Sequence, residues 1–409
     1  MAAQMPVSEF VGGTKINRLM RVLYCNPVFF EYRLPFYKEL VRLFDGEFYV
    51  MYSPVRYKMC RKEEFCARMQ EVLGKNAIPM TTDHLFDTNS MKWDVMPDIE
   101  KGKRIPFTRG LMRAIAKVRP DVLITEGYFQ WTPLVLLYGI LHRVPVYMGY
   151  ERTCWTERNA GRLKTWQRKL FNRGFAGFLV NGSETKKYLM SIGVKEEKIH
   201  IGGMCADSEE LCAQVCSMTD EDKSVMRHRY VGDEGLLYLF VGRVSVLKGA
   251  DRLLDAWEEH VRRYPKDHIV LVGYGDRYEM LKDKYREMPS VHLEGAVDYT
   301  QVYRYYAVAD VYVLPTIEDN WSLVVPEAMA CGLPVATSIY NGCYPELVQE
   351  GVNGFVFNTF RHETIVEVLS KFHHVDLKAM GEASVSLEEP YNAENSARRV
   401  HNAIIGNVR

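Results

Sequence analysis

No C-x-x-C pair and no Cys/His spacing of the kind that ligates zinc occurs in the 409 residues, and nine cysteines is an odd count. They are expected as reduced thiols of a cytosolic protein. No secretory signal is expected, since "MAAQMPVSEFVGG" has neither a basic opening nor a long apolar stretch. The longest strongly apolar run, "PLVLLYGIL" at 133–141, gives way to His142 and Arg143 and is too short to cross a bilayer. There is no repeat, no low-complexity tract and no excess charge of either sign, Lys+Arg and Asp+Glu each numbering 52. What is present, 47% hydrophobic and 25% charged residues, is the balance of a soluble globular protein. The length suits two domains, each with its own core.

The neutral total conceals an asymmetry. Residues 1–200 hold 32 basic and 20 acidic residues, so the first half stands at +12 and the second at −12. Most of the excess lies in 101–200, with 19 basic and 7 acidic residues. Halves of opposite sign point to two domains facing different partners, the alternative being plain solvated surface. Short apolar runs alternate with amphipathic segments of helical length, the pattern of parallel α/β sheets. Strands are predicted at Met20–Cys25, Phe48–Tyr52, Val122–Thr125, Val144–Gly149 and Gly177–Val180 in the first half. In the second they fall at Leu236–Val241, Ile269–Val272, Val291–Leu293, Val311–Leu314 and Val335–Thr337. The domains are expected over 1–204 and 236–390, joined by a polar linker with one short helix over 205–235. A C-terminal helix at 391–409 is expected to pack back on the first domain, and 76–107 reads as a long loop. Ligands of such sheets bind beyond the C-terminal ends of the strands, so the loops there are the places to search.

Three loops of the second half carry chemistry. "VGRVSVLKG" follows its first strand, where Gly242 permits a tight turn and Arg243 and Lys248 present two cations suited to a diphosphate, or else an exposed surface pair. "VLVGYGD" follows the next strand; Gly273 and Gly275 let a ligand approach the backbone, although turns need glycine anyway. A nicotinamide-type G-x-G-x-x-G with its trailing acid is absent from both halves. The third loop, "TIEDNWSLVVPEAMACG", places Glu318 and Asp319 before a helix expected to start near Ser322, with Glu327 one turn in. The free amides of a helix start attract anions, while a carboxylate repels phosphate but accepts from ribose hydroxyls.

"GRVSVLKG", "LVGYGD", "VHLEGAVD", "ADVYVLPT", "EDNWSLVVPEAMACGLPVATS" and "NGCYPELVQEGVNGFVF" occur in the order and spacing of glycosyltransferase family 4, which this chain resembles closely over about 235–360. The resemblance implies a GT-B fold, two Rossmann-like domains facing across a cleft, and a retaining enzyme that uses a UDP- or GDP-sugar donor with no cofactor and no metal. It implies that Arg243 and Lys248 bind the donor diphosphate, that Gly242, Gly273 and Gly275 line the donor, and that Glu327 holds the ribose. The first acid of the family's E-x7-E pattern falls on Asp319, eight before Glu327, with Glu318 one residue off the spacing. Asn320, Trp321, Ser322 and Leu323 align with the family's Gly-Phe-Gly-Leu, whose backbone contacts sugar and phosphate; two glycines are therefore replaced.

The first half shares only the family's strand–helix rhythm. "CNPVFFEYRLPFYKEL" offers Tyr32, Arg33 and Tyr37 to the cleft or to the packing of the loop. Glu126, Glu151 and Arg152 follow later strands and are acceptor-side candidates, although strand-end loops gather polar residues regardless. "GRLKTWQRKLFNRGF" has Leu163, Trp166, Leu170 and Phe171 at helical spacing, a stripe that is either core or the apolar face of an interfacial helix on anionic lipid. A saccharide or lipid-linked acceptor, an anionic membrane surface and no nucleic acid are the expected partners. The location implied is cytoplasmic, peripheral on the inner face of a membrane. A GT-B sugar-nucleotide 2-epimerase and a non-catalytic nucleotide-sugar-binding protein are the rival readings.

Overall fold

The computed structural model describes residues 7–11, 14–29, 31–54, 59–81, 108–128, 131–203, 205–232 and 234–408. Its strands are β1 (Val7–Val11), β2 (Thr14–Arg18), β3 (Val22–Cys25), β4 (Phe48–Tyr52), β5 (Ala77–Pro79), β6 (Val122–Glu126), β7 (Val146–Tyr150), β8 (Gly177–Val180) and β9 (Ile199–Ile201) in the first half. The second half holds β10 (Leu237–Val241), β11 (His268–Val272), β12 (Val291–Gly295), β13 (Val311–Leu314), β14 (Val335–Ser338) and β15 (Gly354–Phe357). Strands β1 and β2 form a separate antiparallel pair. The others build two parallel sheets, ordered β5-β4-β3-β6-β7-β8-β9 and β12-β11-β10-β13-β14-β15. These are the two Rossmann-like sheets of the GT-B arrangement.

The runs predicted as strands are continuous and apolar because both faces of each sheet are covered by helices. "VLYC", "LYLFV" and "VYVL" are buried at every position. Unforeseen were β1, β2, β5, β9 and β15, of which β5 and β9 are three residues long and without enough apolar length to stand out. The loop expected over 76–107 begins with β5, and residues 82–107 lie outside the described residues. The polar stretch 205–235 carries two helices, Ser208–Ser217 and Asp220–Arg227, where one short helix was expected. Leu211, Val215, Tyr230 and Val231 from it are buried in the core of the second sheet. The final helix, Ala393–Val408, sets Ala397, Val400 and Ile404 into the core of the first sheet, beside the helix Leu34–Leu43. The chain therefore crosses twice between the bodies. No helix of the described residues is long and apolar enough to cross a membrane.

In each sheet the order reverses once, between β3 and β6 and between β10 and β13. At such a reversal the helices leave to opposite faces, opening a crevice beyond the strand ends. Both crevices contain residues singled out from the sequence.

Candidate active site

At the β10/β13 crevice, Lys248 from the loop after β10 reaches the carboxylate of Asp319 from the loop after β13, in hydrogen-bond contact. The Ser322 hydroxyl donates to the same carboxylate, and the Trp321 amide donates to its other oxygen at 3.2 Å. Burial acts to raise the pKa of Asp319, but Lys248 and these donors outweigh it and hold the group below the usual carboxylate range. Asp319 is thus an anion with its partner cation beside it. The aliphatic stem of Arg243 passes along Gly275, whose added Cβ would lie 3.0 Å from Arg243 Cγ.

Two of the glycines are also fixed by packing. An added Cβ on Gly273 would lie 1.8 Å from the Gly242 carbonyl oxygen, and one on Gly275 would lie 2.3 Å from that of Val244. The loops after β10 and β11 press against each other there, so loop packing by itself requires glycine at both positions.

The helix expected near Ser322 spans Val324–Ala330, with Leu323 at its N-cap and no side-chain cap. Ser322, one residue before the N-cap, turns its hydroxyl to Asp319. Asn320 keeps its Oδ1 buried without a donor. Trp321 lies against the first domain: a Cβ on Gly182, just after β8, would lie 2.6 Å from its ring, which is 5.7 Å from Tyr391.

Glu318 and Asp319, adjacent in sequence, face different partners. Glu318 forms an ion pair with Arg158 of the first domain at 2.6 Å, leaving Asp319 as the acid beside Lys248. Glu327 is buried and already accepts from two phenols, Tyr299 and Tyr306, each at 3.2 Å. Burial pushes its pKa up to about 7 against the pull of those hydroxyls. An acid raised in the folded state retains its proton there while the unfolded chain has lost it. Stability should therefore fall as pH climbs from about 4.5 to 7, by roughly 3 kcal/mol from this group. Glu327→Gln is expected to flatten the melting temperature across that window, and a slope like that of the unmodified chain would refute the assignment.

The β3/β6 crevice is filled by the chain itself. Arg33, buried, donates to Glu126 at 2.8 Å and to Glu151 at 2.6 Å, and Tyr24 donates to Glu126 at 2.6 Å. Burial pushes Glu151 up, and Glu126 adds to this against the pull of Arg33. Around them is a cavity of about 10 Å³, lined also by Gly203 and Val400 and with room for roughly one water molecule. Arg33, Glu126 and Glu151 are thus brought together as one hydrogen-bonded cluster, two acids sharing a single guanidinium. Tyr37 is wholly buried and accepts from Asn26, while Tyr32 packs against the core of the second domain. Arg152 pairs with Glu157 at 3.3 Å.

Residues that the sequence reading passed over join the two crevices. Trp155 donates its indole N–H to the Ile317 carbonyl at 2.8 Å and stacks on Tyr340 at 4.5 Å. Glu346 accepts from the Ser183 amide at the start of the helix Ser183–Ser191. A Trp and an Arg three apart in a loop after a strand, "WTER", were the available signal.

Among the described residues, His260, Asp267 and His373 form a group that could hold a metal ion. Both Nε2 atoms lie 2.7–2.8 Å from one Asp267 oxygen, while His260 Nδ1 is buried with no partner. A metal-bound imidazole needs that second nitrogen to donate, so the donor set favours a hydrogen-bonded strut. The group sits at the N-terminal end of β11, away from both crevices. The D-x-D spacing in the chain, Asp220 and Asp222, starts the helix Asp220–Arg227, where Thr219 caps the Asp222 amide at 3.1 Å.

Residues 235–374 match the family described as glycosyl transferases group 1. An uncharacterized glycosyltransferase of Haemophilus influenzae is 28% identical over 159 residues, 38% of this chain and 44% of that protein. The alpha-monoglucosyldiacylglycerol synthase of Acholeplasma laidlawii is 25% identical over 157 residues, 37% of this chain and 39% of that protein. The matched stretch thus spans less than half the length of these relatives. In structure, Anabaena HepE, solved in complex with UDP, superposes with a TM-score of 0.71 at 13% identity, covering 94% of this chain and 99% of that one.

Proposed function

We propose that this chain is a retaining glycosyltransferase of the family 4 type, moving a sugar from a UDP- or GDP-sugar to a hydroxyl acceptor in polysaccharide or glycolipid assembly. The observation that carries the reading is the Lys248–Asp319 pair at the strand-order reversal of the second sheet. It lies within the stretch that matches the glycosyl transferases group 1 family. A diphosphate with two negative charges competes with one carboxylate for Lys248. Its arrival would draw the cation off Asp319 and free that acid to accept from donor-sugar hydroxyls. Arg243 supplies the second cation. The acceptor oxygen then bonds to the anomeric carbon as the bond to the diphosphate breaks on the same face. The acceptor's proton passes to a diphosphate oxygen. Charge fixed in advance beside the leaving group is the main catalytic device, and no metal ion is needed in this scheme. For Glu327 to hold the ribose, Tyr299, about half exposed, gives up its hydrogen bond while Tyr306 keeps its own.

The acceptor in this reading is lipid-linked, with the first domain peripheral on the inner face of a membrane. Support comes from the helix Arg162–Asn172, which turns Leu163, Trp166 and Leu170 outward at 78%, 62% and 47% exposure, with Arg162 and Lys169 exposed around them. Its buried residues are Arg168 and Asn172, and of the apolar stripe only Phe171 packs against the core. Just past its end, Gly174 abuts Leu136 of the helix Thr132–His142, which exposes Leu137, Ile140 and Leu141. Apolar side chains among basic ones suit anionic lipid. Trp166→Glu with Leu163→Glu is expected to reduce co-sedimentation with anionic vesicles about tenfold at low salt. Equal recovery on neutral and anionic vesicles would refute the surface.

A panel of labelled UDP- and GDP-sugars tests the whole reading. Nucleotide release with label moving to an acceptor supports it. Donor altered without an acceptor would mark a 2-epimerase, and binding without release a non-catalytic protein.

A further inference from the structure

The loop after β7 is stiff, and its tip lies on the second domain. Thr153 and Thr156 bond each other's amides at 2.9 and 3.2 Å, and the Glu157 amide donates to the Thr153 carbonyl at 3.1 Å. The base is anchored by the buried Glu157 carboxylate, which bonds Arg168. The tip presents Trp155 and Arg158. The indole N–H fixes the Ile317 carbonyl, and Arg158 lies 4.2 Å from the indole centroid while pairing with Glu318. With Tyr340 stacked at 4.5 Å as well, the indole ring is engaged by two side chains of the protein itself. The contacted segments are those that hold Asp319: its amide donates to the Tyr340 carbonyl at 3.4 Å, and its carbonyl accepts from Gly342 at 3.1 Å.

We infer that the Trp155–Arg158 tip is an interdomain clasp that positions the Ile317–Ser322 loop, so that the Lys248–Asp319 geometry is completed only when the first domain is closed onto the second. Arg158 also withdraws Glu318, keeping a second carboxylate from the diphosphate position. Trp155 and Arg158 are positioning residues. The catalytic consequence rests on the proposed transferase reading; the mechanical one does not.

Amide hydrogen exchange on the full chain without ligand reads the mechanical part. In Trp155→Ala and in Arg158→Gln, the amides of Trp321 and Gly342 should exchange about tenfold faster, while those of β3, β6, β10 and β13 keep their rates. Arg158→Lys should restore part of the protection. Unchanged exchange at Trp321 and Gly342 in both variants would overturn the clasp, and so would acceleration throughout both sheets, which would make Trp155 a residue of the general fold. Calorimetry with UDP and GDP and donor turnover read the rest. Clasp variants should retain nucleotide affinity within about threefold and lose about tenfold in kcat. If the unmodified chain bound neither nucleotide while the loop exchange changed as expected, the transferase reading would fail and the clasp would stand.

Discussion

Lys248→Ala is expected to lower sugar transfer about 10²–10³-fold while leaving the chain folded. Lys248 is about a quarter exposed and its bonding partner is Asp319, so its removal strips a cation from the crevice without opening a core. The diphosphate then has Arg243 alone. Asp319, which Lys248 helps to hold below the usual carboxylate range, moves back toward it while still bound to Ser322 and the Trp321 amide. Turnover with the preferred donor and thermal melting on the same sample provide the check. Near-normal turnover removes the assignment, whereas loss of activity together with loss of the melting transition makes Lys248 structural. Glu318→Gln provides the contrast, since its acid faces Arg158 and its loss should affect transfer far less.

The second large effect is on stability and lies under the clasp loop. Arg168 and Glu157 are both buried and meet through two bonds of 2.9 Å, with the rings of Tyr128, Tyr188 and Tyr150 at 5.1–6.0 Å from the guanidinium. Glu157→Ala leaves that cation buried without its carboxylate and should cost about 3–5 kcal/mol. Arg168→Ala should cost less, because Arg152 and Lys164 lie at 3.3 and 3.2 Å and still neutralise Glu157. Denaturant unfolding of the two variants checks the order; equal losses, or the reverse order, would sink it. Burial works to raise Glu157, but Arg168 prevails and its pKa is lowered. The pair's stabilisation is therefore complete above the ordinary carboxylate range and is lost as pH falls through the lowered value in the folded state.

This ion pair also explains a stripe whose direction the sequence left open. Leu163, Trp166 and Leu170 repeat at helical spacing and fit either a core face or a lipid face. The decision lay with Arg168, whose partners Tyr128, Tyr150, Glu157 and Tyr188 come from four separate places in the chain. Periodicity within a helix says which residues share a face; what meets that face depends on segments far away. The same limit applied to Glu126, Glu151 and Arg33, which read as independent polar residues of strand-end loops and prove to be one cluster.

The sequence by itself determined the two parallel sheets and the loop chemistry of the second one. Apolar runs of four or five residues flanked by amphipathic helices have few ways to be buried, and the motif spacing from Gly242 to Phe357 is a local property of the chain. Only the tertiary structure decided which of two neighbouring acids meets Lys248, that Glu327 is already held by two tyrosines, and that Trp155 and Arg158 reach across to the other domain. Those outcomes depend on contacts between residues 21 to 162 positions apart or on which way a side chain turns at a loop, and neither is written in local pattern.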